Sequence, residues 1–314
     1  MTTFLVTGGA GFIGSHVCER LLAEGHRVVA VDDLSTGHIA NLGEARGYGK
    51  EFTFFNMDVR ADGLLPLFER HRPEVVMHLA AQAGVRPSLT NPFFDASVNI
   101  MGFLNVMECS AKMGVRKIVY AASGGTLYGE ARKLPSKEPT AAGSHPLSPY
   151  GISKKAPIDY LGYYERFRGI EYTALALANV YGPRQYPHGE AGVVAIFASK
   201  MLAGETPTVN GDGNQTRDYV FIDDAVHAFA LSEERGNGRL VNVGTGVETS
   251  VNGLYRMLAE LTRFTGEPMS GPLPPGELRR SCLDNALAAE VLGWKPWTHL
   301  EDGLGETVAY LKGI

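Results

Sequence analysis

Tyr150 and Lys154 stand four residues apart, in Tyr150-Gly151-Ile152-Ser153-Lys154. On a helix that spacing puts both side chains on one face. A free phenol has a pKa of about 10, and a neighbouring ammonium favours the phenolate. A tyrosine so placed can act as a general base near neutral pH. A second set lies at the start of the chain, where Gly8, Gly11 and Gly14 form G-x-x-G-x-x-G behind the apolar run Phe4 to Thr7. So tight a turn needs residues that accept positive φ and lack a Cβ, so that the backbone can approach a pyrophosphate. The helix that follows offers its free N–H groups and its dipole to phosphate. Asp32 and Asp33 close the next strand, at roughly the 20-residue interval at which an acid meets the adenosine ribose. A carboxylate there repels a 2′-phosphate, so the pattern predicts NAD rather than NADP. An oxidised nicotinamide would add a positive charge beside Tyr150. Asp58, after the third strand, is a candidate for the adenine.

These residues need a scaffold, and the first 180 residues supply one pattern. Apolar, β-branched runs at 4–7, 27–31, 52–57, 75–79, 117–121 and 172–176 alternate with helical periodicity at 12–24, 64–70, 97–112 and 150–168. Strands separated by helices imply a parallel sheet with right-handed crossovers. The fold class is therefore α/β, a doubly wound parallel sheet. The later chain has shorter elements and more Gly and Pro. It reads as a smaller C-terminal α+β lobe for substrate, so 1–178 is divided from 179–314, with one strand at 240–243 returning to the main sheet. Pro157 lies inside the helix carrying Tyr150 and Lys154. A proline there lacks an N–H and clashes with the preceding turn, at a cost of about 3 kcal/mol, which predicts a kink or widening just past Lys154.

Composition excludes several classes. The 314 residues are 44% hydrophobic, enough for a large core, and the net charge is −5. No basic run marks a nucleic-acid surface. No apolar run approaches the roughly 20 residues of a membrane span. The N-terminus passes straight into a strand and glycine turn, unlike a signal peptide. Cys18, Cys109 and Cys282 are scattered and lack metal-ligand spacing, so no metal is expected and reduced thiols in the cytoplasm are.

The chain resembles the extended short-chain dehydrogenase/reductase family, and within it the UDP-glucose 4-epimerase group. The resemblance rests on Thr7-Gly8-Gly9-Ala10-Gly11-Phe12-Ile13-Gly14, His78-Leu79-Ala80-Ala81-Gln82, Leu127-Tyr128-Gly129-Glu130 and Ser148-Pro149-Tyr150-Gly151-Ile152-Ser153-Lys154. It continues through Asn179-Val180-Tyr181-Gly182-Pro183-Arg184, Gly211-Asp212-Gly213, Arg217-Asp218-Tyr219-Val220, Gly244-Thr245-Gly246 and Leu292-Gly293-Trp294. These stretches span nearly the whole chain. The resemblance implies a UDP-sugar substrate and a tightly bound NAD regenerated in each turnover. Tyr150 takes the proton of the 4-hydroxyl as NAD takes the C4 hydride; the 4-keto sugar turns over, and hydride returns to the opposite face. Phe12, Ile13, Val59, Leu79, Ala80, Ala81 and Asn99 would lie along the cofactor, and Lys154 would hold the nicotinamide ribose. Asn179, Val193 and Arg217 would face the sugar nucleotide. In relatives the helices matching 97–112 and 150–168 make a dimer interface, so a homodimer is expected.

Two departures from the family pattern bear on the site. The usual catalytic Ser is Gly124 here, within Ser123-Gly124-Gly125-Thr126. Ser123 and Thr126 both remain candidates to bridge the sugar and Tyr150, with Thr126 narrowly preferred. The same stretch lacks the carboxylates of 4,6-dehydratases and UDP-glucuronate decarboxylases, which disfavours those chemistries. Near the C-terminus, the phosphate-gripping Arg of Arg-x-Gly-Glu/Asp is Pro274, in Pro274-Pro275-Gly276-Glu277. Arg279 or Arg280 would have to compensate. Ser281 is small where a bulky residue restricts some epimerases to unacetylated hexoses, so 2-acetamido sugars are expected to fit. Arg86 and Arg184 are candidates for a carboxylated sugar such as UDP-glucuronate. A non-catalytic NAD-binding regulator is the alternative from another class.

Overall fold

A computed structural model describes residues 1–187, 192–274 and 276–313. Its centre is a parallel sheet of seven strands: β1 (Thr3–Thr7), β2 (Arg27–Asp32), β3 (Phe52–Asn56), β4 (Val75–His78), β5 (Lys117–Ser123), β6 (Glu171–Leu177) and a late strand, Arg239–Val243. The spatial order is Arg239–Val243, β6, β5, β4, β1, β2, β3. All the pairings are parallel. Such strands are covered on both faces, so they read as unbroken apolar runs rather than as alternation. Phe4, Leu5 and Val6, Val28 to Val31, and Val75 to Met77 are accordingly all buried. The order changes direction beside β1, and in sheets of this kind ligands bind in the crevice beyond the carboxyl ends of the strands at such a point.

The connecting helices are α1 (Phe12–Ala23), a single turn α2 (Gly43–Arg46), α3 (Leu64–His71), α4 (Val85–Thr90), α5 (Pro92–Ala96), α6 (Phe103–Met113), α7 (Gly124–Leu127) and α8 (Pro149–Arg168). The helix expected over 97–112 is interrupted: Ser97–Gly102 forms a π-turn, and regular α geometry starts at Phe103. Its buried side is Asn99, Phe103, Val106, Met107 and Ser110, while Ile100 and Leu104 remain partly exposed. The widening expected after Lys154 does not occur. Helix α8 runs through Pro157 without interruption, and the hydroxyl of buried Tyr120 donates to the Lys154 carbonyl at 3.3 Å beside the proline.

Beyond residue 178 the strands outside the main sheet are short, while the helices Val251–Thr262 and Leu300–Lys312 are as long as α1. Asn179–Tyr181 pairs with Tyr219–Phe221, Thr216–Arg217 with Thr249–Ser250, and Thr208–Asn210 with Met269–Gly271. This lobe is sewn to the main sheet by buried polar groups. Asn242, on the returning strand, donates to the carbonyls of Ser136 and Asp284 and accepts from the Tyr128 hydroxyl. Asp218 accepts from the Thr245 amide and hydroxyl and from the amides of Gly246 and Leu283. Among the described residues no helix is long and apolar enough to cross a membrane.

Candidate active site

The cradle at the end of β1 is built from backbone. Gly8 has φ of +71°, and a Cβ there would lie 2.7 Å from the Ala80 nitrogen. A Cβ on Gly14 would collide with the Gly8 carbonyl, so the first turn of α1 packs directly on the loop. Helix α1 starts behind Gly11 with no side-chain cap and no acid in its first turn. By contrast α8 is capped by the Ser148 hydroxyl, which accepts from the Gly151 amide. An uncapped N-terminus facing a glycine loop presents free N–H groups to an anion, so the residues fit a dinucleotide pyrophosphate. Phe12 and Ile13 form the start of that helix.

Asp32 and Asp33 separate in role. Asp32 is buried and clasps the loop, accepting from the amides of Ala10 at 3.0 Å and Leu34 at 2.8 Å. Asp33 is exposed and accepts from the amide and hydroxyl of Ser35. Asp58 is gripped by the guanidinium of Arg60, which pulls its pKa below the usual carboxylate range. Val59 is buried under the π-turn, where a Cβ on Gly102 would touch it. On the other side of β1, the Thr7 hydroxyl accepts from the amides of Leu79 and Ala80, which sets the backbone of Leu79 to Ala81 beside the glycines. Asn99 fixes the next residue of that loop: its side chain accepts from the Gln82 amide at 2.8 Å and donates to the Gln82 carbonyl at 3.0 Å.

Tyr150 and Lys154 enter from α8 over the end of β5. Lys154 is buried, donates to the Ala121 carbonyl at 2.9 Å, and lies over the Tyr120 ring. Tyr150, Ser123 and Thr126 remain partly accessible. Desolvation lifts the Tyr150 phenol to about 12, with a hydrogen bond from Ser123 pulling the other way and the charge of Asp95 adding to the rise. Desolvation also lowers Lys154 to about 8, opposed by Asp95. The phenolate expected near neutral pH is tied to the oxidised nicotinamide as well as to the ammonium, and burial opposes it in the protein alone. The protein alone keeps the phenol protonated, and a further positive charge is required to ionise it.

Ser123 and Thr126 both stay candidates for the bridging hydroxyl. The Ser123 hydroxyl lies where it pulls the Tyr150 pKa down, and Thr126 donates to the Ser123 oxygen at 2.9 Å. Gly124 has a steric reason: a Cβ there would fall 2.5 Å from the Leu283 methyl and 2.9 Å from the Ala176 carbonyl oxygen. A serine at 124 would crowd the Leu283 methyl and the Ala176 carbonyl. Asn179 lies close by, its side-chain oxygen 3.4 Å from where a Cβ on Gly125 would be.

Four of the cations expected at the sugar nucleotide, Arg184, Arg217, Arg279 and Arg280, are each held by an acid. Arg217 pairs with Glu277 and also donates to the Thr216 carbonyl. Arg280 pairs with Glu248, and Arg279 with Asp212. Arg184 is engaged by α1. Its guanidinium spans both oxygens of Glu19 and reaches His16 and Ser15, all on α1, so it ties the lobe to the cofactor helix. Arg86 is exposed on α4. Val193 opens the helix Val193–Leu202 and is partly buried. Ser281 is buried, its amide bonded to the Thr216 carbonyl. Pro275 lies outside the described residues. Asp95, Ser153 and Asp218 were not singled out by sequence reasoning. An acid or serine at those positions reads as helix surface or strand end until the fold buries it.

The sequence model described as the NAD dependent epimerase/dehydratase family matches residues 4–244. The chain is 47% identical to a UDP-glucose 4-epimerase of Mycolicibacterium smegmatis over 309 residues, covering 98% of each. Among solved structures it is similar to the UDP-glucose 4-epimerase of Thermotoga maritima with UDP-glucose, at 45% identity and a TM-score of 0.95, with 99% of both chains covered. It is also similar to the Thermus thermophilus UDP-glucose 4-epimerase in complex with NAD, at 40% identity and a TM-score of 0.91, again over 99% of both.

Proposed function

The chain belongs to the NAD dependent epimerase/dehydratase family, and we propose that it interconverts UDP-hexoses at C4 through a transient 4-keto sugar. It is an NAD-dependent sugar-nucleotide 4-epimerase, an isomerase. The observation that carries this reading is the Ser123–Tyr150–Lys154 constellation at the mouth of the glycine cradle, in a chain matching UDP-glucose 4-epimerases along its whole length. NAD, when bound, supplies a hydride acceptor and donor. The chain's own residues handle the proton. Tyr150 takes it from the sugar 4-hydroxyl and returns it, with Ser123 fixing the phenol and Thr126 fixing Ser123. Lys154, with donors to spare beyond the Ala121 carbonyl, holds the nicotinamide ribose and keeps a positive charge near the phenolate. Ala80, Ala81 and Asn99 set the wall of the cofactor site. Asn179 and Arg217 hold the nucleotide diphosphate, Arg217 exchanging Glu277 for phosphate.

Incubation with UDP-galactose, and separately with UDP-glucose, tests the reading without added cofactor. Both are expected to reach the same mixture. Loss of water or CO2 instead would move the chain to another branch of the family. The small, buried Ser281 supports room for a 2-acetamido group, so UDP-GalNAc is expected to turn over as well. Inert UDP-GalNAc alongside active UDP-galactose would remove that extension.

A homodimer through α8 and the 97–113 segment belongs to the same reading. Met101, Tyr160, Tyr163 and Phe167 are large apolar groups left exposed there, and Leu104, Asp159, Tyr160, Tyr163 and Tyr164 line one groove. Exposed apolar patches of this kind mark association surfaces. Sedimentation analysis is expected to give twice the chain mass, and Tyr163→Glu to shift it toward the monomer. A wild-type monomer at assay concentrations would reject this part.

A further inference from the structure

One buried charge beside the catalytic pair has no role so far. Asp95, in α5, is 1% exposed. Its Oδ1 accepts from Gln82 Nε2 at 2.9 Å and from Asn99 Nδ2 at 3.2 Å. Its Oδ2 is sealed from solvent and has no hydrogen-bond partner among the described residues. Burying a carboxylate oxygen unpaired is costly, and an asparagine would serve as well if a tie were all that was needed. The surroundings supply an electrostatic reason for the acid, since the charge acts on both Lys154 and Tyr150.

The bonds around Asp95 reach both halves of the site. Asn99 Nδ2 also donates to the Gln82 carbonyl and, at 2.9 Å, to the Ser153 hydroxyl. The Ser153 hydroxyl donates to the Tyr150 carbonyl at 3.0 Å. One carboxylate therefore connects the loop after β4 with the catalytic turn of α8. Asn99 lies in the π-turn Ser97–Gly102, and such turns inside helices occur often at functional sites. The other groups packed around Asp95 are accounted for. From β4, His78 is held neutral by burial, at about 3, and faces Lys154. From β5, Tyr120 is pushed up by burial, with smaller contributions from Tyr150 and Asp95. On α8, Lys155 is turned to the Ser144 carbonyl. Arg86 on α4 is exposed, and Arg60 is engaged by Asp58 and Ser97.

We propose that Asp95 is a positioning residue for the reaction, acting by its negative charge on Lys154 and Tyr150 and by its hydrogen bonds on the turn that carries them. The proposal rests on Tyr150 and Lys154 being the acid–base pair. Burial raises the Asp95 pKa, opposed by the nearby Ser153 hydroxyl, by hydrogen bonding from Gln82 and by the Lys154 charge. The sign of its effect is fixed. A carboxylate raises the pKa of an ammonium, so Lys154 stays charged to higher pH. It also raises the pKa of a phenol, so Tyr150 ionises later. Both limbs of the pH–rate profile are thus moved upward.

The test is the pH dependence of kcat/KM for UDP-galactose in NAD-loaded wild type, Asp95→Asn and Asp95→Glu. In Asp95→Asn both limbs are expected to move to lower pH, by about half a unit or more. Asp95→Glu keeps the charge, so its limbs stay at the wild-type pH while kcat falls. The phenolate absorbance of NAD-loaded protein, taken against Tyr150→Phe, is expected to show the Tyr150 midpoint moving the same way in Asp95→Asn. Limbs and midpoint unmoved in Asp95→Asn, or moved equally in Asp95→Glu, overturn the proposal and leave the acid–base pair standing. Should Asp95→Asn fail to fold, limbs displaced in Asp95→Glu alone still overturn it. Full activity in Tyr150→Phe would instead remove the underlying reading.

Discussion

The two halves of the crevice hold their charges in opposite ways. On the nucleotide-binding side, Lys154 and Asp95 are buried, bonded to backbone or to one another's neighbours, and fixed before any ligand arrives. On the lobe side, Arg217, Arg279 and Arg280 each rest against a carboxylate, and two of the three pairs are largely exposed. Exposed ion pairs contribute little to stability, so on the proposed reading an arriving phosphate would displace their acids at small cost. Arg217, whose side chain is only 11% exposed, is the exception, and its proposed exchange of Glu277 for phosphate would take place out of water. On that reading chemistry is preorganised in one half, while nucleotide binding in the other is an exchange of partners.

Substitutions should separate along that line. Tyr150→Phe is expected to lower kcat by about 1,000-fold or more, the scale of a lost acid–base group, with the UDP dissociation constant within about twofold; calorimetric titration and initial rates check both. Ser123→Ala comes next, with kcat down roughly 100-fold, because it touches the phenol, and Thr126→Val loses less, about tenfold. The reverse order would return the role to Thr126. Gly124→Ser is expected to destabilise by about 1–3 kcal/mol through overpacking against Leu283 and the Ala176 carbonyl, read in urea unfolding. Arg217→Ala should raise KM about tenfold with kcat nearly unchanged, the loss of a charge-assisted pair to phosphate. Smallest is Arg280→Ala, within about twofold of wild type. A large KM effect there would mean that Arg280 replaces the arginine missing at Pro274.

Much of the nucleotide-binding half was readable from the chain. Glycines that must lack a Cβ, and apolar strands alternating with helices, are local signals, and they placed β1 to β6, α1 and α8 within a residue or two. Local signals failed where packing decides. Tyr150 and Lys154 were found by spacing, yet the direction in which Tyr150 shifts depends on burial, which spacing does not encode. Pro157 pointed to a kink or widening in α8, and the widened turn lies instead in the neighbouring helix at Ser97–Gly102. Gly124 stood out as a missing serine, but its reason is Leu283, more than 150 residues away in the chain. Arg184, Arg217 and Arg280 were visible as cations. Their partners Glu19, Glu277 and Glu248 come from other elements, and no spacing rule connects them.

The most direct test of the central claim is an NMR time course with UDP-galactose deuterated at C4, in ordinary water with NAD-loaded protein. UDP-glucose is expected to appear with the deuterium still at C4, because the hydride that leaves is the one that returns while Tyr150 exchanges only the hydroxyl proton. UDP-glucose that has lost deuterium at C4, or a dehydrated or decarboxylated product, would contradict a 4-epimerase built on this site.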